Sequence, residues 1–346
     1  MDSSRISGWK PPSGWQIVHT IDAHTAGEPL RVIYNGFPVT KGASILEKRK
    51  FTRENFDDLR KALMWEPRGH ADMYGCILTP PVSEGSDFGV LFTHNEGFST
   101  MCGHGIIAVT TVVLQTGLFP ATGPETTLGI DTPAGLIRAT AQMIDGRVTK
   151  VSFRNVPSFV LMTDQTVHIP GTGPVRFDIA FGGAFYAFVQ SEDAGVKCNP
   201  GHLGQLIEKG MAIKHAVMER FPVTHPFKSD LNFLYGTIFT GPAESTGSDS
   251  RNVCVFAEGE VDRSPTGTGV SARMALHFYR NEIKMDQPMV IESIIGTRFT
   301  GRVIDKLQFG PFEAVIPEVE GEAFITGRHE FYIDPADPLG YGFILR

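Results

Sequence analysis

The sequence predicts an α+β protein with two domains, each built mainly of β-strand. Short runs of β-branched and aromatic residues, bounded by Gly, Pro, Asp or Asn, occur along the whole chain, whereas helical patterns are few. The 346 residues exceed the roughly 250–300 at which a single hydrophobic core stops growing. One glycine-rich segment is also present twice, which indicates an internal duplication.

Strands are predicted where β-forming residues alternate or run continuously between turn residues. They are expected at 17–21, 30–34, 75–78, 89–92, 136–141, 148–153, 185–190, 236–239, 253–256, 289–293 and 324–326. Helices are expected at 52–66, 102–115, 200–214 and 266–281. The pattern predicts a first domain at 14–152, completed by 321–346, and a second domain at 153–320.

The repeated segment reads CGHGIIA at 102–108 and TGTGVSA at 266–272. Two glycines let the backbone approach a ligand closely, and the helix that follows begins with amides that have no internal partner. Such a helix start binds anions and lowers the pKa of a neighbouring thiol, so Cys102 is predicted to be a thiolate. The alternative is that Cys102 is a small buried core residue, as free cysteines commonly are.

Composition excludes several classes of protein. The formal net charge is -7 and the only basic cluster is Lys48-Arg49-Lys50, which argues against nucleic acid or an anionic membrane as a partner. The longest apolar run, 106–114, is about half the ~20 residues of a membrane span. No signal peptide is expected, and the cysteines form no Cys-x-x-Cys pair, so a reduced, cytoplasmic protein without a metal is predicted. A homodimer is expected from the frequency of such assemblies.

Six motifs together resemble the proline racemase family, and they span nearly the whole chain. They are DAHTAGEPLRV at 22–32, EPRGHADMYG at 66–75, HNEG at 94–97, MCGHG at 101–105, FGGAFYA at 181–187 and DRSPTGTG at 262–269. Racemases of that family have cysteine in both glycine-rich segments, whereas threonine in the second segment is similar to the family's dehydratase branch. The resemblance implies two pseudo-symmetric domains of the diaminopimelate epimerase-like type. Each would be a curved, barrel-like sheet around a central helix, with the active site between the domains.

The resemblance also implies roles for particular residues. The catalytic pair would be Cys102 and Thr266, and Asp262 would bind the ring ammonium of an amino acid. The backbone amides implied to hold the substrate carboxylate are those of Gly103, His104, Gly267 and Thr268. The His104 side chain would assist Cys102, touch the substrate or only begin the helix. Tyr74 and Phe256 fall where the family has aromatic walls, although buried aromatic residues are usually core.

The pair Cys102 and Thr266 decides the expected reaction. Removing the Cα proton of an amino acid gives a carbanion, which a site without a cofactor must stabilise with fixed hydrogen bonds. Racemisation needs an ionisable group on each face, and a threonine hydroxyl does not ionise near neutral pH. In trans-3-hydroxy-L-proline the hydroxyl and the α-hydrogen lie on the same ring face. Cys102 could therefore remove the α-proton and also protonate the departing hydroxyl. The expectation is cofactor-independent dehydration to 1-pyrroline-2-carboxylate.

Three other functions fit parts of the pattern. One is a racemase or epimerase of proline or 4-hydroxyproline in which Thr266 or a water acts as the second base. Another is an inactive amino-acid-binding protein, against which the joint presence of Cys102, His104 and Asp262 argues. A dinucleotide site is the third, but residues 257–265 separate the expected strand from the glycines by too long a loop.

Overall fold

A computed structural model describes residues 8–345 of the chain. The strands of the first half are β1 (Gln16–Thr25), β2 (Glu28–Asn35), β3 (Tyr74–Thr79), β4 (Phe88–His94), β5 (Glu125–Asp131), β6 (Leu136–Ile144) and β7 (Arg147–Arg154). Those that follow are β8 (Ser158–Ile169), β9 (Gly173–Phe181), β10 (Phe185–Gln190), β11 (Leu234–Gly241), β12 (Ser250–Phe256), β13 (Glu260–Val261), β14 (Met289–Glu292), β15 (Arg298–Phe309), β16 (Phe312–Gly321) and β17 (Ala323–Ile333). The α-helices are α1 (Ile45–Met64), α2 (Gly103–Gln115), α3 (Leu203–Arg220) and α4 (Gly267–Tyr279). Short 3₁₀ turns lie at Pro200–His202 and Ser229–Leu231.

The second half of the chain forms a closed barrel. Its strands pair in the order β8, β9, β10, β11, β12, β14, β15 and β16. The ring closes where β16 pairs with β8, with Ala314 opposite Phe159. Because every strand then has neighbours on both sides, this sheet leaves no long unpaired edge.

The first half forms a similar curved sheet that the end of the chain completes. Its strands pair in the order β17, β1, β2, β3, β4, β5, β6 and β7. Strand β17 pairs with β1 along its length, from Gln16 opposite Ile333 to Thr25 opposite Ala323. The end of β16 joins this sheet to the other barrel, with Gly321 opposite Val151.

Each barrel encloses one helix. All residues from Gly103 to Leu114 of α2 are buried, and so are those from Gly267 to Leu276 of α4. A helix that is apolar on all sides must be surrounded by protein, and a curved sheet provides that environment. The other two helices lie outside: α1 packs Leu63 against the first sheet, and α3 packs against β11 and β12.

The helix predictions were correct in position and differ mainly at the ends. Helix α1 begins seven residues before the expected position 52, because Ser44 and Glu47 form a capping box. The Glu47 amide donates to the Ser44 hydroxyl at 3.2 Å, and the Glu47 carboxylate accepts from the Ser44 amide at 3.3 Å. Helix α3 continues to Arg220, beyond the expected 214.

Several strands were not predicted. These are β5, β8, β9, β13, β15 and β16. Their outward faces are polar: residues 305–308 at the end of β15 are all exposed, and β16 contains Pro317. Segments with so many polar residues resemble loops in sequence, whereas β9 has an alternating apolar face at Val175, Phe177 and Ile179 that the analysis missed.

The pair of barrels with central helices confirms the predicted α+β fold of two pseudo-symmetric domains. We propose boundaries at 14–152 together with 321–346 for the first domain, and at 153–320 for the second. Within residues 8–345, no helix has the length and apolar character needed to cross a bilayer.

Candidate active site

The N-termini of the two central helices meet at Gly103 and Gly267. A Cβ atom built on Gly103 would lie 2.5 Å from the Cα of Gly267, and one built on Gly267 would lie 2.6 Å from the Cα of Gly103. Only glycine allows this approach. Two sets of helix-start amides, which lack carbonyl partners within their own helices, therefore converge on one place. Their dipoles make that place favourable for an anion.

A narrow cavity opens beside this contact. Its free volume is about 20 Å³, which accommodates about one water molecule. All seven predicted site residues line it, namely Cys102, Gly103, His104, Asp262, Thr266, Gly267 and Thr268. The remaining lining residues are Tyr74, Met101, Tyr186, Tyr235, Cys254 and Phe256. The structure therefore brings the predicted residues of both glycine-rich segments together.

Cys102 caps the helix that it precedes. Its backbone is extended, with φ -145°, and its Sγ accepts a hydrogen bond from the Gly105 amide at 3.2 Å. The Nδ1 atom of His104 lies 3.2 Å from the same sulfur. Helix α2 thus holds a thiol and an imidazole in contact at its first turn.

Burial changes the expected ionisation of this thiol. It raises the pKa of Cys102 well above the ordinary value, although the hydrogen bond from Gly105 acts in the opposite direction. The prediction of a lowered pKa for Cys102 was therefore wrong for this cavity. The loss of solvent around the thiol outweighs the effect of the helix terminus. Burial also lowers the pKa of His104, so its imidazole is neutral and has a nitrogen available to accept a proton.

Thr266 occupies the position equivalent to Cys102 but has a different conformation. Its φ is 66°, and its side chain makes no capping hydrogen bond to α4. A β-branched residue at positive φ costs about 1–3 kcal/mol. Thr266 is 5% exposed, and its hydroxyl interacts with the Cys254 thiol, whose pKa burial raises and this contact lowers. Sulfur is a weak hydrogen-bond partner, so this hydroxyl is available to a ligand in the cavity.

Three charged side chains form the border between the domains near the cavity. The buried Asp262 accepts a hydrogen bond from the Ser264 amide at 2.8 Å, and Glu28 accepts one from the Arg263 amide at 2.7 Å. Burial raises the pKa of Glu28 well above its usual range, and the nearby Asp262 raises it further. The Arg263 guanidinium lies 3.5 Å from the Glu28 carboxylate and acts in the opposite direction, towards a lower pKa.

Four cavity residues were missed by the sequence analysis: Met101, Tyr186, Tyr235 and Cys254. The sequence contains a pattern that indicates one of these four residues, Cys254. Cys254 is two residues before Phe256 on β12, and alternate residues of a strand face the same side, so a wall at Phe256 implies Cys254 as well. Tyr235 reaches the cavity because its strand, β11, pairs within the second barrel, and no local sequence pattern indicates this position.

We predict that Gly267→Ala lowers kcat/KM by at least about 100-fold, because the new methyl group would separate the two helix termini. Gly204→Ala is the matched control, since Gly204 lies in α3 and a Cβ there meets nothing within 4 Å. Steady-state kinetics and thermal unfolding of both variants would check this. Normal activity of Gly267→Ala would mean that the close approach is not needed.

The contact of a thiol with an imidazole where two helix N-termini meet is typical of an enzyme active site. The chain belongs to the proline racemase family, whose model matches residues 20–344. It is 47% identical to a trans-3-hydroxy-L-proline dehydratase of Colwellia psychrerythraea, over 99% of this chain and 97% of that relative. It is 46% identical to a trans-L-3-hydroxyproline dehydratase of Xenopus tropicalis, over 97% of both.

Two solved structures have the same fold. A hydroxyproline epimerase from Agrobacterium vitis with bound trans-4-OH-L-proline superimposes with a TM-score of 0.91 at 32% identity, covering 96% of both chains. A probable proline racemase from Agrobacterium radiobacter, with bound carbonate, has a TM-score of 0.90 at 30% identity, covering 95% of this chain and 96% of that one.

Proposed function

We propose that this enzyme dehydrates trans-3-hydroxy-L-proline to 1-pyrroline-2-carboxylate without a cofactor. The observation that carries the proposal is the cavity's asymmetry: one barrel contributes the Cys102 thiol, and the other contributes the Thr266 hydroxyl at the equivalent helix start. The names of relatives that are 46–48% identical support the same activity.

In this scheme the substrate carboxylate binds at the two helix N-termini. The amides of Gly103 and His104 would donate from one side, and those of Gly267 and Thr268 from the other. Charge that develops on the carboxylate when Cα loses its proton would then be stabilised by dipoles already in place. Asp262 would bind the ring ammonium and fix which face of the ring meets Cys102.

Proton abstraction begins with the Cys102 thiol. Since its pKa is raised, the thiol must first lose its proton, and the neutral His104 imidazole, 3.2 Å from the sulfur, relays that proton to solvent. The thiolate then takes the α-proton, the C3–O bond breaks, and the hydroxyl takes a proton from an acid on the same ring face and leaves as water. The product of this step is an enamine, which tautomerises to the imine. Thr266 forms a polar wall and donates a hydrogen bond to the substrate.

The substrate must enter through a wider form of the cavity. A free volume of about 20 Å³ is far smaller than any amino acid, so we propose that the two domains separate to admit it and close afterwards. We also propose that the protein is cytoplasmic and forms a homodimer. The four cysteines, which are all free and buried, are consistent with a reducing compartment.

An NMR time course in deuterated buffer tests the reaction. The purified protein is incubated separately with trans-3-hydroxy-L-proline, L-proline and trans-4-hydroxy-L-proline. We expect loss of the 3-hydroxy compound alone, with formation of 1-pyrroline-2-carboxylate. Inversion of either other substrate would show a second acid and favour an epimerase, which is the activity named for the Agrobacterium vitis structure. Binding without turnover would indicate an inactive homologue.

The raised pKa of Cys102 also predicts how activity varies with pH. A group with a raised pKa is protonated at neutral pH, so the thiolate fraction and kcat/KM should increase by about tenfold per pH unit towards alkaline pH. Rates measured between about pH 6 and about pH 9 would check this. A flat profile over that range would mean that the thiolate is already formed at neutral pH.

A further inference from the structure

The Tyr74 side chain lies on the Cys102 side of the cavity. Tyr74 is the first residue of β3, it is 3% exposed, and it lines the cavity together with Cys102 and His104. Its ring meets the His104 ring edge-on, with centroids 4.9 Å apart, and stacks on His94 at 5.7 Å. Two neighbouring rings therefore fix its orientation.

The hydroxyl of Tyr74 belongs to a small buried network. It forms a short hydrogen bond with the Ser99 hydroxyl and lies 3.5 Å from the Tyr235 hydroxyl. It also interacts with the Cys102 thiol; burial raises the pKa of that thiol, and this contact partly offsets the rise. When Ser99 donates to the phenol oxygen, the Tyr74 proton is free to point towards Cys102 or a ligand. Burial raises the pKa of Tyr74 well above its ordinary value, so the proton is present at neutral pH.

The geometry of the substrate places its leaving group on the same side. The α-hydrogen and the 3-hydroxyl of trans-3-hydroxy-L-proline lie on adjacent carbons and on one ring face. If Cys102 reaches that hydrogen, the hydroxyl must lie beside the sulfur, where the Tyr74 hydroxyl is. The other hydroxyl and thiol side chains of the cavity all belong to the opposite barrel, although the Tyr235 hydroxyl lies 3.5 Å from that of Tyr74; they are Tyr186, Tyr235, Cys254, Thr266 and Thr268.

We propose that Tyr74 is a catalytic residue that protonates the departing 3-hydroxyl, an inference that rests on the proposed dehydration. The electrons of the Cα–H bond form the C2–C3 double bond, and those of the C3–O bond leave with the oxygen, which takes the phenol proton and departs as water. Cys102, which holds the α-proton, then returns it to the phenolate. Thiolate and phenol are both restored, and no other reactant is needed.

Tyr74→Phe tests this role because it keeps the ring and removes only the proton donor. We expect dehydration to fall by on the order of 100-fold or more, the usual contribution of a general acid. In deuterated buffer, recovered trans-3-hydroxy-L-proline should still acquire deuterium at Cα, because Cys102 is intact. Pyrrole-2-carboxylate, a planar carboxylate without a hydroxyl, should bind within about threefold of the wild-type Kd, since its binding does not use this donor.

Tyr279→Phe is the matched control, because Tyr279 is exposed at the end of α4, and it should retain full activity. If exchange at Cα and dehydration fell together in Tyr74→Phe, Tyr74 would only shape the cavity and the proposal would be wrong. Unchanged dehydration would overturn it equally. A wild-type enzyme that does not dehydrate the substrate would instead reject the proposed function, before any variant is compared.

Discussion

Replacing Cys102 with serine is expected to abolish dehydration, with a loss of at least about 1,000-fold in kcat. Serine keeps the size and the capping geometry at the start of α2, where Sγ accepts the Gly105 amide. Its hydroxyl, however, has a pKa far above that of a thiol, so it cannot take a proton from carbon. The NMR assay with trans-3-hydroxy-L-proline measures the effect directly.

Cys198→Ser provides the control for this experiment. Cys198 is also a free, buried cysteine, but it lies outside the cavity. Burial raises the pKa of its thiol to about 11, and a hydrogen bond with the Ser191 hydroxyl acts in the opposite direction. A hydroxyl at this position therefore has a polar neighbour, and the variant should remain active. Turnover near the wild-type rate in Cys102→Ser would remove Cys102 from the mechanism.

Replacing Thr266 with cysteine is expected to give the enzyme a new activity, the inversion of L-proline. The second helix start would then carry a thiol opposite Cys102, where the wild-type protein has only a hydroxyl. A carbanion formed by one thiol could be protonated by the other. Formation of D-proline should exceed that of the wild type by at least about 100-fold, as measured by chiral chromatography.

Thr266→Ser separates the effect of the thiol from that of altered packing. It removes the γ-methyl group and keeps a hydroxyl, so we expect dehydration without inversion. If Thr266→Cys formed no D-proline although it remained folded, the group at 266 would not reach Cα. The positive φ of 66° at this residue would then be the first feature to examine, because Cys102 has φ -145°.

The sequence predicted which residues line this cavity because they are concentrated in short segments. Two glycines after Cys102 and two after Thr266 indicate helix starts, and the internal repeat indicates that these starts are equivalent. Asp262 was assigned through the family resemblance and lines the same cavity. Within each of the two segments the residues are close together in the chain, so local patterns were sufficient.

Features that depend on distant parts of the chain were not predictable in the same way. Tyr235 enters the cavity through strand pairing in the second barrel, and the ionisation of Cys102 depends on how completely the protein covers it. No sequence pattern predicts the positive φ of Thr266 either. Threonine is disfavoured in this backbone conformation, and the surrounding fold imposes it. Burial and strain are properties of the assembled structure.

The pairing of β1 with β17 affects how the chain folds while it is being synthesised. Domains usually fold in the order in which the ribosome makes them. Here the first sheet has no partner for β1 on one side until β17 is made, near residue 333. The second barrel is complete at β16, so it should close first, and it gives the waiting N-terminal strands a folded surface to join. A chain released early would keep the edge of β1 unpaired, and such edges promote aggregation.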